Sequence, residues 1–397
     1  MTALMLFNRD LRIHNNQVLQ AAAAESNLIC GIQRQEMTDW GASKRDFYLS
    51  CVADLAYRLS ELGHKLYYID TLDNNAFDSD TFDSNAVDGF DRIYCSKSYN
   101  PVDDIEHPSI PITKIAQATL FDEQELPFTI EQLPKTFTPF RHKMDKVDKP
   151  AIPPTMVTEL PPAVDYDAEY VTPKQGGGET AALQRLADYF AGDYALSYFD
   201  TRNGLIEFND STKFSPYLAW GCISPGQIYY ALKQFEALNG NNKSTYWIVF
   251  ELLWRDYFKW LSLKFGATIF SLTGTAQRKL PSLAPDLEAR FFQQWINGET
   301  EEPFVNANMS ELNATGWMSN RGRQNVASFL CKTKGVNWLL GAEYFANHLI
   351  DYDPESNYGN WAYLAGVGVD PRDRQFNIAR QAHMYDPEGN YQAKWLD

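Results

Sequence analysis

Two kinds of hydrophobic pattern divide this chain, and the change between them constrains its fold more than any other feature. Within residues 1–130, short apolar runs alternate with segments of helical periodicity. The runs are residues 4–8, 27–32, 65–69 and 92–96, and the helical segments are residues 18–24 and 47–62. Apolar runs of this length are typical of buried parallel strands. The alternation therefore predicts an N-terminal α/β domain with a doubly wound sheet and right-handed crossovers.

A proline-rich segment then separates this region from a helical remainder. Eight prolines stand between residues 134 and 173, and proline at this density keeps a chain extended and without backbone pairing. Residues 131–175 are therefore predicted to be an interdomain linker. Three glycines follow at 176–178, and residues 176–397 read as an all-helical domain with breaks at several prolines.

Composition and short motifs exclude several classes of function. No GxGxxG follows the first strand and no GxxxxGK[ST] occurs, so an ordinary dinucleotide or P-loop site is not indicated. No apolar run is long enough for a membrane span, and no basic segment precedes an apolar one at the N-terminus. Five scattered cysteines without a CxxC motif predict reduced thiols and a cytoplasmic protein. A net charge of −16 predicts weak, salt-sensitive binding to nucleic acid.

The densest group of polar and aromatic residues lies in residues 313–363. Its apolar positions recur at helical spacing and predict two helices with one shared buried side. Two arginines two positions apart and two aspartates two apart suit a buried ion-pair system, because desolvated charges persist only when paired. These residues are Arg321, Arg323, Asp351 and Asp353.

Several long motifs resemble those of one flavoprotein family. They are LFNRDLRIHNNQVL at 6–19, FTPFRHKM at 137–144, GGGETAALQRL at 176–186, STKFSPYLAWGCISPGQI at 211–228, FELLWRDYF at 250–258, GWMSNRGRQNVASF from 316, IDYDPESNYGNW from 350 and YDPEGNYQAKWL at 385–396. Together they span nearly the whole chain and are similar to the photolyase/cryptochrome family, above all to its DASH cryptochromes. The resemblance implies an antenna-type α/β domain, a helical domain and FAD bound there in a folded-back conformation.

The resemblance implies which residues hold the flavin. Taken alone, hydroxyl residues before Pro216 are more often a plain helix cap than a phosphate site. The residues implied to contact the flavin phosphates are Tyr198, Ser211, Thr212, Lys213, Phe214 and Ser215. Those implied on the flavin side are Arg255, Asn320, Arg323, Asp351, Asp353 and Asn357, with Arg323 paired to Asp351 and Asn357 facing flavin N5. A calcium loop at 351–362 fails because Ser356 and Ala362 replace the required Gly and Glu.

A second group is implied to face damaged DNA. Glu251, Trp254, Arg255 and Phe258 share one helical face, which on its own is typical of a surface ion pair beside core aromatics. The resemblance implies that Glu251 contacts a pyrimidine lesion and that Trp254 packs against it, and burial would raise the pKa of this Glu. The implied lesion-facing rim is Arg202, Glu251, Trp254, Asn320, Arg321, Gln324 and Tyr363. Gln324 and Tyr363 are residue types of the DASH group, and the paired histidines of six-four photolyases are lacking.

Three tryptophans match the family's electron-transfer chain from flavin to surface, namely Trp361, Trp338 and Trp295. Without the surrounding motifs, three such residues on helices are more often core. Glu251 and Asn320 are expected to support the lesion and flavin radicals.

Some positions depart from the family pattern. Asn306 replaces Asp, Ser310 replaces Arg, and Glu301 and Glu302 replace Thr and Gly, changes that would weaken DNA binding. A folate antenna (methenyltetrahydrofolate) is implied in the N-terminal domain, where Asp103, Asp104 and Glu106 are candidate ligands.

The resemblance thus implies light-driven, FAD-dependent repair of cyclobutane pyrimidine dimers, preferentially in single-stranded or unpaired DNA, by a monomer that binds no metal and no membrane. The alternatives are a blue-light receptor that signals through a partner and a flavoprotein that has lost DNA binding. The chain ends at Asp397, directly after the 385–396 motif, which favours repair over signalling by a C-terminal tail.

Overall fold

A five-stranded parallel sheet organises the N-terminal part of the protein, with strand order β3-β2-β1-β4-β5 among the residues that the structure describes. The computed structural model describes residues 1–69, 90–100, 104–107, 109–369 and 375–396. The strands are β1 Thr2–Phe7, β2 Asn27–Gln33, β3 Leu66–Ile69, β4 Arg92–Ser96 and β5 Ile112–Ile115. Two helices connect the first three strands, α1 Gln17–Ala22 and α2 Ala42–Glu61.

The central strand β1 is buried on both faces, which explains its continuous apolar run. Residues 3–7 are no more than 1% exposed. Met5 and Phe7 pack on one side with α2, whereas Leu4 and Leu6 pack on the other side with Ile93 of β4. The predicted N-terminal α/β fold is confirmed. The sequence prediction missed β5, a half-buried edge strand that includes Thr113 and Lys114.

The proline-rich segment is neither extended nor unpaired throughout, so the prediction is wrong for a helix of eight residues and for two bridged positions. Phe137–Met144 form helix α3. Pro139 lies in the first turn of this helix, where a missing N–H removes no intrahelical hydrogen bond. Farther along, Leu28 pairs with Ala163 and Tyr67 with Tyr170 as isolated bridges, so the segment follows the sheet.

The rest of the described chain is helical. Its helices are α4 Gly178–Ala191, α5 Tyr194–Thr201, α6 Ser215–Ala219, α7 Pro225–Asn239, α8 Lys243–Phe265, α9 Pro285–Asn297, α10 Pro303–Thr315, α11 Asn320–Ser328, α12 Trp338–His348, α13 Pro354–Ala365, α14 Ile378–Tyr385 and α15 Asn390–Leu396. Pro225, Pro303 and Pro354 stand at the first turns of their helices, so the predicted breaks are helix starts. In the described part of the chain, none of these helices is both long and apolar enough to cross a bilayer.

Residues 313–363 contain three helices rather than the two predicted. A π-helical turn, Phe329–Thr333, continues α11, and α12 then ends at His348. The third helix, α13, starts because Pro354 fits its first turn and the Asp353 side chain accepts a hydrogen bond from Ser356 N at 3.1 Å.

The loop after β1 fastens the sheet to the helical part. Arg9 Nη1 donates to Tyr352 O at 2.9 Å, and Arg12 Nη1 donates to Gly221 O at 2.9 Å. Gly221 has φ +67°, and a Cβ there would lie 2.0 Å from Arg9 O. Only glycine permits this approach.

A second fastening involves helix α8. Asp256, fully buried on α8, accepts hydrogen bonds from Leu120 N at 3.0 Å and Phe121 N at 3.1 Å. Burial raises the pKa of this carboxyl to about 7. The helix that carries Glu251 and Trp254 is therefore also bonded to the segment that follows β5.

Candidate functional site

A cavity of about 310 Å³ lies among α5, α6, α8, α11, α12 and α13. All twelve residues predicted to hold the flavin line it, namely Tyr198, Ser211, Thr212, Lys213, Phe214, Ser215, Arg255, Asn320, Arg323, Asp351, Asp353 and Asn357. Of the remaining predicted residues, Arg202, Glu251, Trp254, Gln324 and Trp361 also line it. The predicted residues lie on α5, α6, α8, α11 and α13, in the 211–214 turn and in the loop before α13. The cavity thus brings together residues that lie far apart in the chain.

The 211–214 turn is held from behind by Arg185 of α4. This guanidinium donates to Thr212 O at 2.9 Å, to Ser211 O at 3.3 Å and to Asn209 Oδ1 at 2.9 Å. Because Arg185 binds these carbonyl oxygens, the hydroxyls of the turn and Lys213 are the groups available to contact an anion. Lys213 has φ +56°, a left-handed conformation that supports the sharp turn.

Two cations of the cavity flank one indole. Lys213 Nζ lies 4.1 Å from the Trp317 ring centroid and Arg323 Cζ lies 5.4 Å from it. Burial, opposed by nearby Glu311 and reinforced by Arg323, lowers the pKa of Lys213 to about 8. A bound phosphate group would favour the charged form of this lysine.

Asp351 forms the predicted ion pair. Arg323 Nη2 donates to its two carboxylate oxygens at 3.0 and 2.9 Å. Ser215 Oγ also donates to Asp351, at 2.8 Å, so this hydroxyl already has an acceptor within the protein.

Asp353 takes part in the predicted buried ion-pair system through cations of α8. Its Oδ2 lies 3.2 Å from Lys259 Nζ and 3.4 Å from Arg255 Nη2. Burial alone would raise the pKa of Asp353, but Lys259 and Arg255 together hold it well below its ordinary range. Lys259 also pairs with Glu355 at 2.9 Å, so two cations and two carboxylates form one charge-balanced network that is largely out of contact with water.

Asn357 presents an oriented amide. Its Nδ2 donates to Ala342 O at 2.9 Å, which fixes the side chain against α12. The amide oxygen is therefore the group left to face the cavity.

Glu251 lies on a different wall. Burial raises its pKa, and Arg202, whose Nη1 is 3.1 Å from Oε1, partly opposes that shift. Trp254, one turn along α8, stacks face to face on Phe137 of α3 with ring centroids 3.7 Å apart. One face of this indole is therefore already covered.

The predicted rim is divided between two cavities. A second cavity of about 310 Å³ is lined by Tyr363, Phe137 and Trp254 among others, so Trp254 forms part of both walls. Arg321 does not line the first cavity. It donates to Gln324 Oε1 at 2.9 Å and to Asn203 Oδ1 at 3.1 Å, which places it beside the 202–204 turn.

The three predicted tryptophans do not form the expected series. Trp361 lines the first cavity, and Trp295 lies next to it with ring centroids 6.1 Å apart. Trp295 is 0% exposed, so its interpretation as the surface end is wrong. The residues that flank Trp295 in the sequence give no information about how deeply its side chain is buried. Trp338 is also fully buried and donates from Nε1 to Leu272 O at 3.0 Å.

Two of the positions that depart from the family pattern, Asn306 and Glu301, have side-chain partners within the helical part. Asn306 Oδ1 accepts from Thr300 N at 2.9 Å, and Glu301 pairs with Lys334. In the N-terminal part, Asp104 pairs with Lys114 at 2.8 Å and Glu106 is exposed. Asp103 lies outside the described residues.

The sequence prediction missed four residues that shape the site: Arg185, Lys259, Trp317 and Phe137. Lys259 continues the face of α8 that carries Glu251 and Arg255, at four-residue spacing, so periodicity could have indicated it. The roles of the other three depend on contacts between distant segments, for which the sequence gives no local signal.

An internal cavity with cations and hydroxyls in a helical domain beside a parallel sheet is typical of proteins that bind a phosphate-bearing cofactor. Residues 3–159 match the DNA photolyase family, and residues 247–397 match the FAD binding domain of DNA photolyase. The chain belongs to the photolyase/cryptochrome family, and DASH cryptochromes are its relatives.

Individual relatives agree with this assignment. A Cryptochrome DASH of Idiomarina loihiensis is 38% identical, over 99% of this chain and 92% of its own length. The structure of a Synechocystis cryptochrome has a TM-score of 0.87 at 36% identity and covers 100% of this chain and 88% of its own. A bacterial class III photolyase from Agrobacterium tumefaciens has a TM-score of 0.84 at 25% identity and covers 100% and 86%.

The donor set of the cavity fits FAD. Lys213 and the hydroxyls of the 211–214 turn suit a diphosphate, and the apolar side chains of Leu218, Ile248 and Leu252 suit rings. When bound, FAD supplies light absorption and one-electron transfer. The protein supplies binding, orientation and the surrounding charges.

Proposed function

We propose that this protein repairs cyclobutane pyrimidine dimers under blue light, preferentially in single-stranded or unpaired DNA. The observation that carries the proposal is the position of Glu251, a half-buried carboxyl with a raised pKa that lines the same cavity as the residues proposed to hold the cofactor. When ionised, a carboxyl in such a place accepts a hydrogen bond from a pyrimidine N–H, and when protonated it donates one to a pyrimidine carbonyl or anionic oxygen.

Each wall of the cavity would have its own task. Asp353 stays ionised beside Lys259 and Arg255, and this fixed charge arrangement orients the flavin edge together with Asn357. Asn320, at the start of α11, and Glu251 would bond the lesion and stabilise charge that develops there. Trp254 would offer the dimer its face opposite Phe137.

Two features support a preference for unpaired DNA. A dimer must leave the base stack to reach a buried cavity, and that movement costs least in a single strand. The net charge of −16 disfavours extensive contact with the phosphates of a duplex. The proposed lesion-facing set also includes Gln324 and Arg202, which line the first cavity, Tyr363, which lines the second, and Arg321.

The test is a blue-light repair assay on oligonucleotides that carry one thymine dimer. Single-stranded, looped and duplex substrates are compared at equal protein and FAD content, with a dark sample of each as control. The proposal predicts light-dependent loss of the dimer, fastest in the single strand and slowest in the duplex. Equal rates on all three would remove the strand preference, and no repair on any would remove the lyase activity.

The acidic surface favours one second candidate, a blue-light receptor that signals through a partner. FAD-loaded protein that is photoreduced normally but neither binds nor repairs dimer-containing DNA would support the receptor.

Several further assignments are part of the proposal. We propose domain limits of 1–130, 131–175 and 176–397, a cytoplasmic monomer and a folate antenna in the N-terminal domain. An absorption spectrum of the purified protein would show a pterin band beside the flavin bands, and its absence after reconstitution with folate would remove the antenna.

A further inference from the structure

A chain of electron donors that starts at the cavity needs one donor that reaches the surface, and Trp295 is buried. Trp361 lines the cavity and Trp295 lies 6.1 Å from it between ring centroids, with the rings at 75°. Both indoles are oxidisable, and electron tunnelling falls steeply with separation. An electron vacancy on Trp361 can therefore pass to Trp295 but cannot be refilled there, because the ring is 0% exposed.

A tyrosine stands on the outer side of Trp295. The Tyr344 ring centroid is 5.8 Å from that of Trp295, with an interplanar angle of 70°. Tyr344 lies on α12 and is half-buried. Phe292 and Phe345, which also contact Trp295, are not oxidisable under these conditions, so Tyr344 is the redox-active ring in contact with Trp295 on this side.

The Tyr344 phenol is held at the surface by a defined network. Its Oη donates to Asn313 Oδ1 at 2.7 Å, and Asn313 Nδ2 donates to Ile296 O at 2.8 Å. Asn313 is exposed and belongs to α10, whereas Ile296 follows Trp295 in α9. Three helices thus fix the phenol beside the indole, and His348 stacks on the Tyr344 ring at 3.9 Å.

We infer that Tyr344 is the outer electron donor of a branch that runs from Trp361 through Trp295 to the surface. This inference rests on the proposed flavin binding. Trp361 gives one electron to the light-excited flavin, Trp295 gives one to Trp361, and Tyr344 gives one to Trp295. The Tyr344 phenol loses its proton to solvent at the exposed Asn313 side, which leaves a neutral tyrosyl radical. An external thiol then restores the phenol by donating a hydrogen atom.

The rival exit leaves through Trp338. The Tyr358 ring centroid is 6.2 Å from that of Trp338, and Phe270 lies 5.0 Å beyond Tyr358. Tyr344 and Tyr358 are both half-buried tyrosines next to a fully buried tryptophan. The substitutions Tyr344→Phe and Tyr358→Phe are therefore matched, since each removes one hydroxyl and keeps the ring in place.

The experiment identifies the radical by electron paramagnetic resonance. Full-length protein is made with β-deuterated tyrosine, loaded with FAD, checked for flavin content by absorbance, illuminated with blue light without thiol and frozen. A radical whose hyperfine pattern collapses on tyrosine deuteration is expected in the parent protein and in Tyr358→Phe. It should be lost in Tyr344→Phe and in Trp295→Phe.

Three outcomes would overturn the inference: no tyrosine-derived radical in the parent, survival of that radical in Tyr344→Phe, or its survival in Trp295→Phe. Flavin content separates this failure from failure of the proposed function. Protein that binds FAD and repairs dimers but lacks the tyrosyl signal overturns the branch alone. Protein that takes up no FAD ends both.

Discussion

Two carboxyl groups that face the same cavity, the buried Asp353 and the half-buried Glu251, have pKa shifts of opposite sign. Asp353 lies within 3.4 Å of two cations, and these hold its pKa well below the ordinary range despite burial. Glu251 has one cation at 3.1 Å, and burial prevails, so its pKa is raised. Asp353 faces two cations of α8 and also accepts a hydrogen bond from Ser356 N, whereas Glu251 faces the single cation Arg202, which follows α5.

Under the proposed function, this difference gives the two carboxyls separate roles: Asp353 helps to hold the cofactor and Glu251 acts on the lesion. A carboxylate that stays ionised provides a constant field for a cofactor, whereas a carboxyl with a raised pKa can accept or donate a proton near neutral pH. If this division is correct, removal of Asp353 should mainly affect folding and cofactor binding. Removal of Glu251 should mainly affect turnover.

The largest expected effect is on stability. Asp353→Asn should lower the free energy of unfolding by about 3–5 kcal/mol, because Lys259 and Arg255 lose a buried anionic partner. Urea unfolding at neutral pH measures this loss. The control is Asp165→Asn, which breaks the surface pair with Lys65 and should leave stability nearly unchanged. Equal losses in both variants would contradict the buried role of Asp353.

Glu251→Gln should reduce the light-driven repair rate roughly ten- to a hundredfold, since a hydrogen bond to a charged group contributes about 1.5–3 kcal/mol. FAD content should not change, because the flavin contacts lie on other walls. Initial rates of dimer loss at equal flavin content provide the measurement. Asp200→Asn, at an exposed position on α5, is the control. Loss of flavin together with activity in Glu251→Gln would abolish the division between the two carboxyls.

Trp361 lines the same cavity as these carboxyls, and its ring packs closely against the backbone at Gly341. A Cβ at Gly341 would lie 2.3 Å from Trp361 Cη2, so Gly341→Ala should cost about 1–3 kcal/mol through overpacking. Thermal unfolding measures this cost. Gly226→Ala, where the nearest atom is 3.6 Å away, is the helical control and should not destabilise. An unchanged melting temperature in Gly341→Ala would show that the indole moves freely.

The smallest effect is on the pH dependence of unfolding, and its sign differs between the two groups. The folded pKa of Asp353 is depressed, so its stabilisation is present above the unfolded value of about 3.9 and is lost as pH falls below it. The folded pKa of Glu251 is raised, so the protein gains stability as pH falls from neutral towards about 4.3.

In Asp353→Asn, the urea midpoint should therefore no longer fall with pH in the range where Asp353 is protonated. In Glu251→Gln, the midpoint should no longer rise as pH falls from neutral. Parallel curves for the parent and both variants would contradict the assigned directions.

Local sequence signals were sufficient for some of these features. The four predicted strands are continuous apolar runs because the sheet is covered on both faces, and the flavin residues lie in short motifs that resemble one family. Helix α3 was missed because eight prolines outweighed the helical FTPFRHKM pattern. Lys259 as a partner of Asp353 and Arg185 behind the 211–214 turn depend on tertiary packing. The depth of Trp295 does too, because an indole in a helix reads the same whether it is exposed or buried.

The hydrogen bonds that Asp256 accepts from Leu120 N and Phe121 N connect α8, which lines the cavity, to the segment that follows β5. A fragment that begins after residue 175 would leave this carboxyl without its donors, at the middle of the helix that also carries Glu251. The position of α8, and with it the shape of the cavity that α8 lines, therefore depends on the N-terminal part of the chain.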